Sequence, residues 1–191
     1  QAYNLYLMAR QRYATGQMSD ARRSDTVIRL CRGAIELDPN YARAWALMAT
    51  AQRHRMYATG QGDNGSVAAA RAIELDANLA EAHAAKAGVH AAAGDYGAAE
   101  EELAIAMRLD PDSVDVIQEA ARLHFMLKRY ASAAASWDRY ATLVETDIAS
   151  GGLLITCYTA LGDTANDERV AQRTMARAEK AVATDADNGS A

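Results

Sequence analysis

The chain has 191 residues, enough for one domain with a sizeable core. Half are hydrophobic but only 6% are aromatic, and there are just two prolines, a composition that favours helix and excludes a sheet built on β-branched and aromatic alternation. The net charge of −5 comes from interleaved acids and bases, with no basic stripe and no polybasic run, which excludes nucleic-acid and membrane-surface binding by this region.

Taken along the chain, the apolar spacing predicts ten helices in five antiparallel pairs, over 2–15, 23–37, 41–58, 65–76, 79–93, 96–109, 113–127, 130–145, 147–161 and 165–184. Connections are short except near 16–24, 58–66 and 162–167, and GQGDNGS (60–66) is the most flexible stretch. The first helix carries YNLYLMAR (3–10) and runs out at YATGQ (13–17). The second closes on AIELDPN (34–40). The third opens on NYARAW (40–45) and runs out at a second YATGQ (57–61). The fourth closes on AIELDAN (72–78), the fifth opens on NLAEAH (78–83), and the sixth closes on AMRLDPD (106–112). The closing heptapeptides start 38 and then 34 residues apart. A weaker copy, AVATDAD (181–187), follows 75 later, with room for a degenerate unit through YATLVETD (140–147). Self-similarity at this period marks a helical-repeat array. The array reads as one domain over 1–191, in units 2–40, 41–78, 79–112, 113–147 and 148–187.

Within a unit the physics is that of a helical hairpin. From Tyr96 the apolar residues fall at Tyr96, Ala99, Leu103, Ala106 and Met107, one face of a helix. Before it, Gly94 suits a left-handed helix stop and Asp95 an N-cap; Gly162 and Asp163 repeat that punctuation. After it, Pro111 ends the helix because proline cannot extend the preceding turn. Both ends read as cut. Tyr3 to Met8 begins in mid-helix pattern, and 185–191 matches the linker that elsewhere introduces another helix. The last helix, through Val170, Met175, Ala178 and Val182, is therefore expected to offer an apolar face to a further repeat or to a second copy as a homodimer.

The 34-residue unit resembles the tetratricopeptide repeat over essentially the whole chain. In the best copy, 80–113, the family's small residues match Ala87, Ala99 and Ala106, its turn matches Gly94-Asp95-Tyr96 and its closing proline matches Pro111. Its first-helix aromatic matches Trp45 but is His83 in the next unit. The resemblance implies an all-α, right-handed superhelical solenoid of about five helix-turn-helix repeats. It implies a non-catalytic scaffold for a protein or peptide partner. More narrowly, 3–10 and 34–45 are similar to repeat regions of larger bacterial regulators, which often follow a class III nucleotide (adenylate) cyclase domain or a winged-helix domain. That implies an alternative role as a dimerising or regulatory segment.

No catalytic constellation is present: there is no GxSxG, phosphate loop or HExxH, and no cofactor or metal is expected. His54, His83, His90 and His124 read as packing or surface histidines. Glu100, Glu101 and Glu102 fan around one helix and read as solvated. Cys31 and Cys157, without CxxC or CxxH partners, read as buried thiols in a reducing compartment, the cytoplasm, or the periplasm if the parent protein is membrane-anchored.

By the family's geometry, the first helix of each pair lines a concave groove. The candidate binding residues are Tyr3, Tyr6, Arg10 and Tyr13, then Arg43, Leu47, Thr50, Arg53 and His54. A nearly featureless middle follows at Glu81, Ala84, Ala85 and Gly88, then Asp115, Gln118, Glu119, Arg122, Phe125 and Met126. Tyrosine and arginine are common interface anchors, and the alternative for Tyr3, Tyr6 and Phe125 is packing against flanking helices. Leu47, Thr50 and Ala85 replace residues of the family's Lys/Asn/Arg carboxylate clamp, so a peptide's terminal carboxylate is disfavoured. Arg53 and Arg122, taken as exposed, are expected to contribute little to stability.

Overall fold

The computed structural model describes residues 1–14 and 20–184, Thr184 by its backbone alone. Residues 16–19 of the first enlarged connection, 15–17 of the first YATGQ and the segment 185–191 lie outside the described residues. Among those described, ten α-helices follow one another without a strand: α1 (Ala2–Ala14), α2 (Ala21–Leu37), α3 (Ala42–Thr59), α4 (Ser66–Leu75), α5 (Ala80–Ala92), α6 (Tyr96–Leu109), α7 (Val114–Met126), α8 (Tyr130–Leu143), α9 (Ala149–Leu161) and α10 (Thr164–Thr184). Each lies within about two residues of its sequence-based position, the usual uncertainty of helix ends.

Local chemistry explains the ends. The Asp20 carboxylate accepts from the Arg22 and Arg23 amides at the start of α2, and Asp95 accepts from Ala98 N at the start of α6. The chain turns left-handed at Gly60 (φ 68°), Gly94 (83°), Lys128 (58°) and Gly162 (70°), positions spaced 34 apart. Three are glycine, which enters that region freely. Lys128 holds the same turn without that freedom, at a cost of about 1–2 kcal/mol. The 38-residue spacing has a local cause too. Helix α3 has 18 residues against 13 in α5, and the connection after it spans 60–65 where the next unit has 93–95, which together outweigh the shorter α4, 10 residues against 14 in α6.

The chain forms two compact units, 1–119 and 120–191, the division falling inside α7. In the first, small side chains dominate the core: Ala9, Ala34, Ala44, Ala49, Ala69, Ala72, Ala82, Ala87, Ala99 and Ala106 are fully buried beside Val27, Cys31 and Leu103. Tyr96 and Met107, assigned to the buried face of α6, are instead exposed at its edge.

The second unit packs around Trp137 of α8, with Ala133, Leu154, Cys157, Tyr158 and Val170. Val170 therefore belongs to this core and not to an open terminal face, although Met175 and Val182 are exposed. Three arginines one turn apart fasten α10. Arg169 and Arg173 each reach the Asp138 carboxylate at 3.1 Å, and Arg177 donates to the carbonyls of Ala141 (2.7 Å) and Asp147 (2.9 Å). Burial works to raise the Asp138 carboxyl, but hydrogen bonds from Tyr158 and Arg169 outweigh it and hold the group below its usual range. The Tyr158 phenol is pushed up to about 12 by burial and by donating to Asp138.

Two adjacent glycines of α9 should respond oppositely to alanine. A Cβ on Gly151 would lie 2.3 Å from Thr174 Oγ1 in α10, whereas one on Gly152 meets nothing within 4 Å. Urea unfolding should show Gly151→Ala less stable by about 1–3 kcal/mol and Gly152→Ala more stable by about 0.5–1 kcal/mol. The second unit should also be alkali-sensitive. A phenol raised on folding stabilises below its unfolded value of about 10 and loses that contribution as pH rises towards 12. Unfolding of the Tyr158→Phe variant followed over this range should lack that share of the loss.

Candidate functional site

In the first unit, the helices that open successive repeats turn side chains into one cavity. Helix α1 supplies Tyr6, Arg10 and Tyr13; α3 supplies Arg43, Ala46, Leu47 and Thr50; α5 supplies Glu81, Ala84 and Ala85; α7 supplies Asp115, Gln118 and Glu119. The repeat explains the register. Arg43, Glu81 and Asp115 hold one equivalent position, 38 and 34 residues apart, and Leu47, Ala85 and Glu119 hold another.

This lining is tied across by its own side chains. The Arg10 guanidinium donates to both oxygens of Asp115 (2.9 and 2.7 Å), a bidentate pair linking α1 to α7. Beside it the Tyr13 hydroxyl donates to Gln118 Oε1 at 3.0 Å. Deeper, Arg53 Nη2 meets Glu119 Oε2 at 2.7 Å, with side chains only 4% and 7% exposed. Gly88 makes room for that guanidinium, since a Cβ there would lie 2.6 Å from Arg53 Cζ. Burial pushes the Tyr6 phenol up to about 12. Arg43 and Glu81 line the cavity without an ion pair to any described residue.

Tyr6, Arg10, Tyr13, Arg43, Thr50, Gln118 and Glu119 thus share one cavity. The other candidates do not. Tyr3 is 61% exposed and outside the lining. Arg53 is buried in its pair with Glu119, not exposed as expected. His54 is buried too, stacked on the Tyr13 ring at 5.9 Å, while Arg23 lies over that ring at 5.7 Å. Phe125 packs edge-on against Tyr130 at 6.0 Å within the second unit's core, and Arg122 lies half-buried on that unit's part of α7. These misassignments share a cause: helical spacing gives an angle around the axis but not how close the next helix comes.

Glu102 also departs from expectation. It accepts from His83 Nδ1 (2.7 Å) and Lys86 Nζ (2.6 Å), fastening α5 to α6. Burial would raise its carboxyl, yet hydrogen bonds from Lys86 and His83 hold it below the usual range. The lining as a whole offers paired charges, one amide and two phenols.

No protein-family model matches the chain, and no curated protein matches its sequence. Solved structures do resemble it. A thermophilic TPR protein of Thermus thermophilus superposes with a TM-score of 0.64 at 15% identity, over 98% of this chain and 93% of that one. MamA gives 0.58 at 14% identity, over 84% and 91%. The APC/C heterotetramer Cut9–Hcn1 gives 0.62 at 16% identity, over 93% of this chain and 37% of that one. The chain has the tetratricopeptide-repeat fold. At these identities the likeness extends to the fold alone.

Because Arg53 and Glu119 are buried against each other, removing one strands the other charge. Arg53→Ala should cost about 3–5 kcal/mol in urea unfolding. The double replacement Arg53→Met with Glu119→Leu should recover most of that loss, whereas additive losses would mean that the pair itself is not the cause.

Proposed function

We propose that the chain is a non-catalytic protein-interaction scaffold that takes a peptide or helix of a partner protein along the lining of α1, α3, α5 and α7. The observation that carries this reading is the convergence of aromatic, cationic and acidic side chains from four helices on one cavity. Asp115 and Glu119 already satisfy Arg10 and Arg53, so Arg43 and Glu81 are the lining charges left for a partner, an acid on the first and a base on the second. The structures of this fold that the chain resembles include complexes: the Cut9–Hcn1 heterotetramer, and Naa15/Naa10 bound to HypK. No described helix is long and apolar enough to cross a membrane.

A second reading makes the chain a structural segment that dimerises or positions an attached domain, such as a nucleotide cyclase or a DNA-binding domain. The Arg10–Asp115 and Tyr13–Gln118 contacts favour it, because they occupy the lining and stiffen the unit.

Affinity capture from cell extract with Arg43→Glu/Glu81→Lys separates the two. Under the first reading the variant loses its partner while circular dichroism and melting stay unchanged, since neither residue is buried. Under the second it keeps every partner, and changes at Met175 or Val182 alter assembly in light scattering. Retention of every partner by the groove variant rejects the first reading.

A further inference from the structure

The first repeat period is four residues longer than the next, and the structure shows where those residues go. Helix α3 runs on by a turn, and 61–65 stay outside helix where α6 has its first turn. This segment walls a second cavity, open to solvent, whose other sides are α2 and α3. Insertions in repeat proteins often build binding faces. The wall is secured from α3: Arg55 Nη1 donates to Gln61 O (2.9 Å), and Gln52 Nε2 donates to Asp63 Oδ2 (3.2 Å). Gly62, at φ +102°, has room for this only as glycine, because a Cβ would lie 2.4 Å from Arg55 Nη1.

The charges in this cavity do not cancel. Arg55 is held by Asp25 at 2.5 Å. Arg29 and Arg32, exposed and one turn apart on α2, line the cavity and make no hydrogen bond or ion pair with any described residue. Against them stands Asp63, and at the cavity floor lies Ile28, a buried residue of the core below. With Arg55 paired to Asp25, the lining keeps two guanidiniums against one carboxylate, a local positive excess in a chain of net charge −5.

We propose that this cavity is a second binding site, separate from the groove, for an extended acidic segment of a partner protein. Side chains at i and i+3 of a helix sit about 5–6 Å apart, and alternate side chains of an extended segment about 6–7 Å apart on one face. Two acids flanking one residue can therefore meet Arg29 and Arg32, each carboxylate matching a guanidinium fork. Amide N–H groups of the segment supply the donors that Asp63 can accept. A single phosphate presents one anionic centre to two guanidiniums, whereas an extended segment sets two carboxylates at their spacing and brings backbone N–H donors to Asp63, so the carboxylate segment is the better match.

The test is fluorescence anisotropy on the full chain with a dye-labelled octapeptide centred on Glu-Leu-Glu. The parent should bind it saturably and about tenfold more tightly than the Gln-Leu-Gln peptide. Arg29→Glu/Arg32→Glu should weaken binding about tenfold or more, while Arg43→Glu/Arg108→Glu, with the same change in net charge, should change it less than about twofold. Arg29→Gln/Arg32→Gln repeats the comparison without charge reversal, and circular dichroism verifies folding. Absence of saturable binding overturns the proposal. So does equal loss in the two Glu pairs, which would make the effect one of net charge or of the groove. Displacement of the peptide by an equal concentration of inorganic phosphate also overturns it. Because the groove variant is scored separately, failure here leaves the groove reading standing, and the reverse.

Discussion

The first unit depends on how closely its helices approach, and alanine sets that distance. Ala46, Ala84, Ala85 and Gly88 stand where α3 and α5 face the concave lining. With so little side chain between them, arginine from α1 reaches a carboxylate on α7 across two intervening repeats. Larger residues there would hold α1 and α7 apart, and Arg10 would end in water. The polar belt is thus a consequence of small side chains and contributes more to shape than to energy. Its outer pair is partly exposed, where an ion pair gives at most about 1 kcal/mol.

Arg53 and Glu119 are a different matter. Both are buried, and the attraction between them has to offset the desolvation of two charges. Apolar residues of similar volume would serve stability as well or better. What the pair supplies is uniqueness: it fits in one register of α3 against α7, over a glycine that admits nothing larger. In the second unit the arginine ladder of α10 plays the corresponding part, matched to Asp138 and to carbonyls at the end of α8.

How far the sequence could be read follows from what each signal contains. Helices and turns were legible because their causes are local: Asp95 caps, Gly94 and Gly162 turn, Pro111 stops. The cavity was legible through the repeat, since Arg43, Glu81 and Asp115 inherit one orientation from one register. Partners were not. Nothing in the spacing says that Arg53 meets Glu119, 66 residues on, or that Glu102 leaves the solvent for His83 and Lys86. Phe125 was assigned to the groove by its angle on α7, yet its ring is claimed by Tyr130. The wall at 60–65 was visible as a flexible, glycine-rich insertion, but its order comes from Arg55 and Gln52, whose reach only coordinates reveal.

The contact between Arg10 and Asp115, like that between Tyr13 and Gln118, joins residues 105 apart, and Arg53 meets Glu119 66 residues on, each across at least one intervening repeat. A linear array of repeats can nucleate anywhere and fray from its ends, each unit held by nearest-neighbour terms alone. A tie between the first and fourth helical pairs changes that behaviour. Closing so long a loop is entropically unfavourable until the repeats between are in place, so the tie forms last in folding. Once formed, it holds α1 to a helix three repeats further along the chain. The first unit then gains and loses its structure as a single block, more like a globular domain than a string of beads.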